Sequence, residues 1–389
     1  MADFTEVTNQ SWFSRIGGAL KGILFGIILV AIAFFLLFWN EGRAVKRHKA
    51  LQEGSSKVVA VASDQLDAKH DGHLVHLTGK AETDEKLTDP VFGVGATALK
   101  LERDVEIYQW QESVSSKQKK KLGGGTETVK SYSYALEWSS RLVNSSEFNV
   151  QEGHVNGTDM LYSSDRWQAG KVKLGAFLLS PALVAKINDT SPVDVGDGKM
   201  LPQDLQESVK VVAGGFYVGA DSASPKVGDL RVSFKSVKPV EVSVVSVQKG
   251  RSLVPYKTAD GSEVELLQTG NHTAEEMFKK AEADNVMLAW MLRGGGFLLM
   301  MIGFNMMFKV ASVLADVIPM LGGVVGAGTG IIAFLLAACL SLVTIAIAWV
   351  FYRPVLGVTL LVLAIGLIVL VIKKVNAGRV SADVPPPLN

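Results

Sequence analysis

Side chains with chemical potential are scattered through this sequence in patterns that match few known sites. His70, His73 and His76 are the tightest histidine group, but a spacing of three suits neither one face of a strand nor a zinc ligand set. The single cysteine, Cys339, lies in an apolar stretch, where no internal disulfide is available and a thiolate would be poorly solvated. Asp and Glu abound between residues 50 and 285, yet spacing singles out no pair. There is no H-E-x-x-H, G-x-S-x-G, P-loop or Rossmann fingerprint. The sequence therefore predicts no catalytic centre, no metal site and no cofactor.

Polar residues inside apolar stretches are the second place to look. Arg293 stands in such a stretch, with Asn305 and Lys309 beyond it. A charge held inside a membrane segment marks a functional pair or a transport path. The plainer expectation is that Arg293 snorkels to the interface. Gly18, Gly22 and Gly26 recur every four residues, and Gly322, Gly326 and Gly330 do the same. Such small-xxx-small runs let helices approach closely in lipid, so these six are the predicted helix-packing and self-association residues.

The elements that position these residues follow from hydropathy. Of 389 residues, 48% are hydrophobic and 20% charged, and the net charge of +1 offers nucleic acid no strong field. Distribution is more telling than the average. No charge occurs from Gly22 to Asn40 or from Val317 to Tyr352, and only Arg353 separates the latter from Pro354–Ile372. A membrane-spanning helix needs about 20 consecutive apolar residues. The first run is too long for the apolar region of a signal peptide, and Phe38-Trp39 stands where cleavage would need small residues, so it reads as an uncleaved anchor. Trp12 and Trp39 flank it, as interfacial aromatics do.

The predicted fold class is an α+β membrane protein with four transmembrane helices, one N-terminal and three C-terminal, flanking a large β-rich soluble domain. Residues 1–17 are a short polar N-terminus and 18–40 the first span. Residues 41–285 form the soluble domain, ending in a helix. The second span covers 286–310, a Gly-rich lead-in and the third span 317–352, and the fourth 354–373, before a flexible tail at 374–389. Pro319 and the glycines from Gly322 to Gly330 predict a kinked or partly re-entrant start to the third span.

Within the soluble domain, Arg231, Ser233 and Lys235 alternate with Val232 and Phe234, as in a half-buried strand. Further strands are expected at Val58–Ala62, Leu74–Leu77, Ala98–Gln111, Val129–Trp138 and Glu241–Val247. Breakers such as Asp89-Pro90, Gly123–Gly125 and Asp260-Gly261 separate the strands. The basic run Lys117–Lys121 reads as a solvated loop. Thr273 with Glu276 fits a capping box opening the helix that leads to the second span.

Several segments resemble the transmembrane protein 43 (LUMA) family. Asn40, Glu41, Gly42 and Arg43, followed by Ala44-Val45, form one. Leu101–Trp110 is another, including Glu106, Tyr108, Gln109 and Trp110, followed by Tyr132-Ser133-Tyr134 and Glu137-Trp138. Gly228–Phe234 and Phe351-Tyr352-Arg353-Pro354 complete the set, in the family's order. Asn156-Gly157 departs from the family's Asn-Pro. The resemblance implies four spans, cytosolic termini and a luminal or periplasmic domain. It also implies an organising role without catalytic residues. Animal members are placed in the endoplasmic reticulum and inner nuclear membrane, oligomerise, and engage emerin and lamins. This chain is similar to the bacterial branch, which implies the bacterial inner membrane. The basic residues are mixed in their message: Arg43, Lys46, Arg47 and Lys49 outnumber Arg15 and Lys21, whereas Lys373, Lys374 and Arg379 draw the C-terminus inward.

The resulting expectation is a non-enzymatic multi-pass membrane scaffold that self-associates and presents its β-rich domain for protein or membrane organisation. Its partners would be the lipid bilayer, further copies of itself and unidentified membrane or envelope proteins, with no nucleic acid. The alternative is a channel or transporter built on the interrupted helix around Pro319–Gly330.

Overall fold

The long uncharged runs fold as helices that outlast them. In the computed structural model, which describes residues 4–355 together with 357, 359 and 362, α1 spans Trp12–Lys57, α2 Ala274–Ala315 and α3 Pro319–Tyr352. Their 46, 42 and 34 residues extend about 69, 63 and 51 Å at 1.5 Å per residue, against ~30 Å of hydrocarbon core. Each contains a stretch long and apolar enough to cross a membrane. These are three candidate spans, one near the N-terminus and two toward the C-terminus. The fourth, expected at 354–373, falls almost entirely outside the described residues, and so does the tail at 374–389.

Two expectations about these helices change. The helix that carries the first expected span does not end at Asn40: α1 continues through Glu41 to Lys57, because residues 41–53 are mostly strong helix formers such as Glu, Arg, Lys, Ala and Leu. The interruption expected at Pro319–Gly330 is absent, and α3 is unbroken. Pro319 occupies the first turn, where a missing N–H forfeits no helical hydrogen bond. Each interior glycine costs only about 1 kcal/mol relative to alanine. A broken backbone in lipid would leave polar groups unsatisfied at several kcal/mol each.

The chain divides into two compact units. The β-rich unit comprises residues up to Asn9, Ala50–Lys119 and Glu127–Glu282; the helical unit comprises Gln10–Lys49, Lys120–Thr126 and residues from Ala283 onward.

In the β-rich unit, β1 (Phe4–Gln10), β2 (Leu74–Glu82), β3 (Lys100–Lys120), β4 (Thr126–Ser139), β5 (Gly215–Val218), β6 (Leu230–Val237) and β7 (Val240–Lys249) carry most of the pairing. One sheet runs β1-β4-β3-β6-β5 and ends on Val209–Val212. Along β6, Leu230, Val232 and Phe234 are buried, while the residues between them point away from the core. The alternation read from sequence holds. Phe92, Val105, Ile107 and Phe216 belong to the same core. The second sheet centres on β7, antiparallel to β2 with Val244 opposite Leu77. Both faces of this pair are covered. Val75, Leu77, Val242 and Val244 join one cluster with Phe177 and Leu183. Leu74 and Val245 join another, with Ala50 and Leu51 of α1 and Met277 and Phe278 of α2.

The capping box at the start of α2 forms as expected. The Thr273 N–H donates to Glu276 Oε2 at 2.9 Å, and the Glu276 N–H donates to Thr273 Oγ1 at 3.3 Å. The basic run Lys117–Lys121 is not a loop, because β3 continues to Lys120. The turn that follows uses Gly123 and Gly124 at φ +84° and +79°, left-handed values that favour glycine.

Candidate functional site

Within the helical unit, the most heavily partnered polar group is the Glu41 carboxylate. It is fully buried. Arg293 of α2 donates from Nε to Oε1 at 2.6 Å and from Nη2 to Oε2 at 2.9 Å, and Trp349 of α3 donates from Nε1 to Oε2 at 2.8 Å. One carboxylate therefore gathers donors from both other helices. The guanidinium lies 4.8 Å from the Trp290 ring centroid and 6.0 Å from that of Trp349, within cation–π range. Snorkelling alone does not describe Arg293, because Glu41 pairs with it inside the helical unit. A counter-charge one helix away satisfies it where it stands, and a two-point guanidinium–carboxylate contact is among the stronger polar interactions.

The neighbouring residues extend this centre. Asn40 Nδ2 donates to the Ala289 carbonyl at 3.0 Å, and Asn285 Nδ2 donates to the Ala44 carbonyl at 3.0 Å. Arg43 Nη1 donates to Asn285 Oδ1 at 3.1 Å, while its buried Nε has no acceptor. Gly42 is where α1 meets the end of α3: a Cβ there would stand 2.6 Å from Tyr352 Cζ. Phe38 packs on Phe351 and Tyr352, with centroids 5.8 and 5.4 Å away. The segment Asn40–Arg43 and the segment Phe351–Pro354, far apart in sequence, are thus joined through Gly42 and Tyr352. Arg353 and Pro354 are exposed, and the Arg353 N–H closes the helix on the Trp349 carbonyl at 2.8 Å.

A cleft of about 450 Å³ opens beside this centre, lined by Trp290, Arg293, Phe297, Ala338, Leu342 and Trp349 among others. Its size is within the range of small-molecule pockets.

A second buried carboxylate, Asp316, occupies the connection between α2 and α3. Arg15 and Lys120 both donate to it, Lys120 Nζ at 2.5 Å. Burial works against its charged form, but hydrogen bonds and charge from Lys120 and Arg15 outweigh that and hold its pKa below the ordinary aspartate value. Trp12 Nε1 donates to the Val313 carbonyl at 2.8 Å beside it. Asp316 did not stand out in the sequence, and Lys120 and Arg15 entered only through a basic run and a charge tally. The one available signal was that a carboxylate flanked by apolar runs requires a partner.

The predicted glycines separate into different roles. An added Cβ on Gly26 would come within 2.5 Å of the Gly303 carbonyl and 2.7 Å of Met307 Cγ, marking a close approach of α1 and α2. Gly22 lies 3.5 Å from the Met306 carbonyl by the same measure, Gly326 3.0 Å from Ser312 Oγ and Gly330 3.8 Å from Asn305 Oδ1. Gly322 abuts Asp316, and Gly18 meets nothing within 4 Å. Gly303, the partner of Gly26, was missed because it stands alone rather than in a repeat.

In the β-rich unit, the resembling residues act as clasps. Glu106 pairs with Arg231 across β3 and β6. Tyr108 lies 5.1 Å from the Trp138 ring. Buried Gln109 donates to the Arg141 carbonyl at 2.6 Å and accepts from the Val143 N–H at 3.0 Å. Trp110 exchanges backbone hydrogen bonds with the Asn156 side chain at 2.8 and 2.9 Å. They pin the segment after β4 rather than assemble a reactive cluster. Among the described residues, no group of three or more His, Cys, Asp or Glu is placed to hold a metal ion.

Comparison with known proteins decides the lineage. The family model described as Transmembrane protein 43 matches residues 107–354. The chain belongs to the transmembrane protein 43 family. Transmembrane protein 43 of Rattus norvegicus is 34% identical over 363 residues, covering 90% of this chain and 89% of the relative. That of Mus musculus is 33% identical over 390 residues, with 97% and 96% covered. The homolog of Drosophila melanogaster is 32% identical over 372 residues, with 93% and 94% covered. No solved structure matches. Family membership and three apolar helices make this an integral membrane protein, and the relatives' names describe no enzymatic activity.

Proposed function

We propose that this transmembrane protein 43 family member is a non-enzymatic membrane organiser. Its helical unit anchors it and self-associates. Its β-rich unit, on the periplasmic or luminal side as the family resemblance implies, presents a surface for protein or membrane organisation. The observation that carries this reading is the occupation of the Glu41 carboxylate by three donors from two other helices. A general base or nucleophile needs a lone pair aimed at space a substrate can enter. Glu41 instead spends its lone pairs fastening helices.

Self-association draws support from glycines left bare. Gly18, Gly294, Gly295, Gly323 and Gly328 would each meet nothing within 4 Å on gaining a Cβ. Exposed backbone on apolar helices suits close contact with another helix in lipid. The transport alternative rested on a broken helix at Pro319–Gly330, and the unbroken α3 removes that support.

The test is the protein mass of the full chain in mild detergent, by light scattering corrected for bound detergent. A multiple of 41.7 kDa is expected, with Gly18→Leu shifting the distribution toward the single chain. A mass of one chain in every mild detergent contradicts the reading. Sidedness is tested separately with Ser222→Cys in the β-rich unit and a membrane-impermeant maleimide on bacterial spheroplasts. Labelling of intact spheroplasts is expected, and labelling only after permeabilisation contradicts it.

A further inference from the structure

The cleft between α2 and α3 runs from a polar rim into an apolar floor. The two helices are antiparallel: Trp349 shares Glu41 with Arg293, Phe297 lies 5.5 Å from the Phe334 ring, and Ser312 Oγ donates to the Gly322 carbonyl at 3.1 Å. Trp290, Arg293 and Trp349 therefore mark one end of the cleft, and Phe297 and Ala338 its deeper part. Trp39 and Trp290 are 58% and 64% exposed, and together with Trp349 they place this rim at the headgroup level that indoles prefer. Arg293 offers more donors than Glu41 uses. Among the described residues, its Nη1 has no protein partner, nor does the Trp290 indole N–H. Arg43, two residues along α1 from Glu41, adds a second guanidinium, whose Nη1 donates to the neutral Asn285 side chain.

We propose that this cleft binds an anionic glycerophospholipid. One acyl chain lies along Phe297, Ala338 and Leu342, and the phosphate accepts hydrogen bonds from Arg293 Nη1 and the Trp290 indole. An anionic glycerophospholipid brings an apolar tail and an anionic head to that depth together. An acyl chain reaching the cleft comes directly from the surrounding bilayer, so no path through water is needed. A guanidinium at the phosphate position favours an anionic headgroup over a zwitterionic one, whose own cation it would repel. The bound lipid would complete the coordination of a guanidinium that the protein alone leaves partly unspent.

Native mass spectrometry of the full chain in detergent micelles, titrated with dioleoyl phosphatidylglycerol or dioleoyl phosphatidylcholine, tests this. One saturable phosphatidylglycerol per chain is expected, bound at least tenfold more tightly than phosphatidylcholine. Ala338→Trp fills the cleft and should weaken that binding at least tenfold. Trp290→Phe keeps the ring but removes the N–H, and should narrow the preference between the two lipids. Should Ala338→Trp fail to fold, Leu342→Trp serves instead, since Leu342 is 68% exposed and is not needed by the core. Equal binding of both lipids, or phosphatidylglycerol binding unchanged in the filled cleft, overturns the proposal. Unchanged lipid binding with loss of oligomer mass would assign the cleft to a second copy and overturn it equally. Lipid is counted per chain, so failure here is distinct from failure of self-association.

Discussion

Glu41 and Arg293 meet at two points, 2.6 and 2.9 Å apart, with the carboxylate fully buried. The pair joins α1 to α2, and the Trp349 indole brings in α3. A buried ion pair contributes little net stability over a well-packed apolar substitute, but removing one partner leaves an unpaired charge. Together with the Asn40–Ala289 and Asn285–Ala44 hydrogen bonds, it ties α1 to α2 at defined points.

Trp349→Phe should remove one donor to Glu41 while keeping the ring. Loss of a hydrogen bond to a charged group costs about 1.5–3 kcal/mol, read as a lower midpoint in thermal unfolding of the detergent-solubilised protein. An unchanged midpoint would show that the indole N–H is dispensable.

Gly26→Ala and Gly18→Ala should differ sharply. The first places a methyl 2.5 Å from the Gly303 carbonyl, so α1 and α2 must separate, at about 1–3 kcal/mol. The second meets nothing within 4 Å and should stay within about 0.5 kcal/mol of the parent. Equal effects in thermal unfolding would contradict the helix crossing.

Gly42→Ala should force the Tyr352 ring aside, since a Cβ would stand 2.6 Å from its Cζ. A loss of about 1–3 kcal/mol is expected from overpacking. Tyr352→Ala in the same chain should recover part of it. Without that recovery, the contact between the two segments would not be the cause.

Asp316 should make stability fall on the acid side. Its pKa in the folded protein is depressed, so its ion pairs contribute fully above the unfolded value of about 3.9. The contribution is lost as pH falls through the lower folded value. Unfolding midpoints of the parent should therefore drop below about pH 4, and Asp316→Asn should flatten that part of the profile. Parallel profiles for the two proteins would rule out this carboxylate as the source.

The sequence made the long helices legible through their apolar runs and some strands through alternation, whereas β1, read as part of a polar N-terminus, and β5 carried no such signal. The alternation of β6 and the box at Thr273 and Glu276 depend only on near neighbours, and both appear as expected. The apolar runs likewise mark three candidate spans. What the sequence hid depends on residues hundreds of positions apart. Arg293 reads as an unpaired charge until Glu41 is seen beside it, and nothing marks Asp316 until Lys120 and Arg15 converge on it. Pro319 and the glycines after it carry a local signal for a break, and the demand for satisfied backbone in lipid overrides that signal. The segments Asn40–Arg43 and Phe351–Pro354 stood out through resemblance alone; their contact through Gly42 and Tyr352 gives that resemblance a physical content.

A double-mutant cycle on Glu41→Gln and Arg293→Met tests most directly whether this centre is a fastener. Each single change should destabilise the full chain by about 3–5 kcal/mol, because it strands a buried partner. The double change should cost clearly less than the sum, leaving a coupling of about 0.5–3 kcal/mol. Additive losses, or single variants as stable as the parent, would contradict the account.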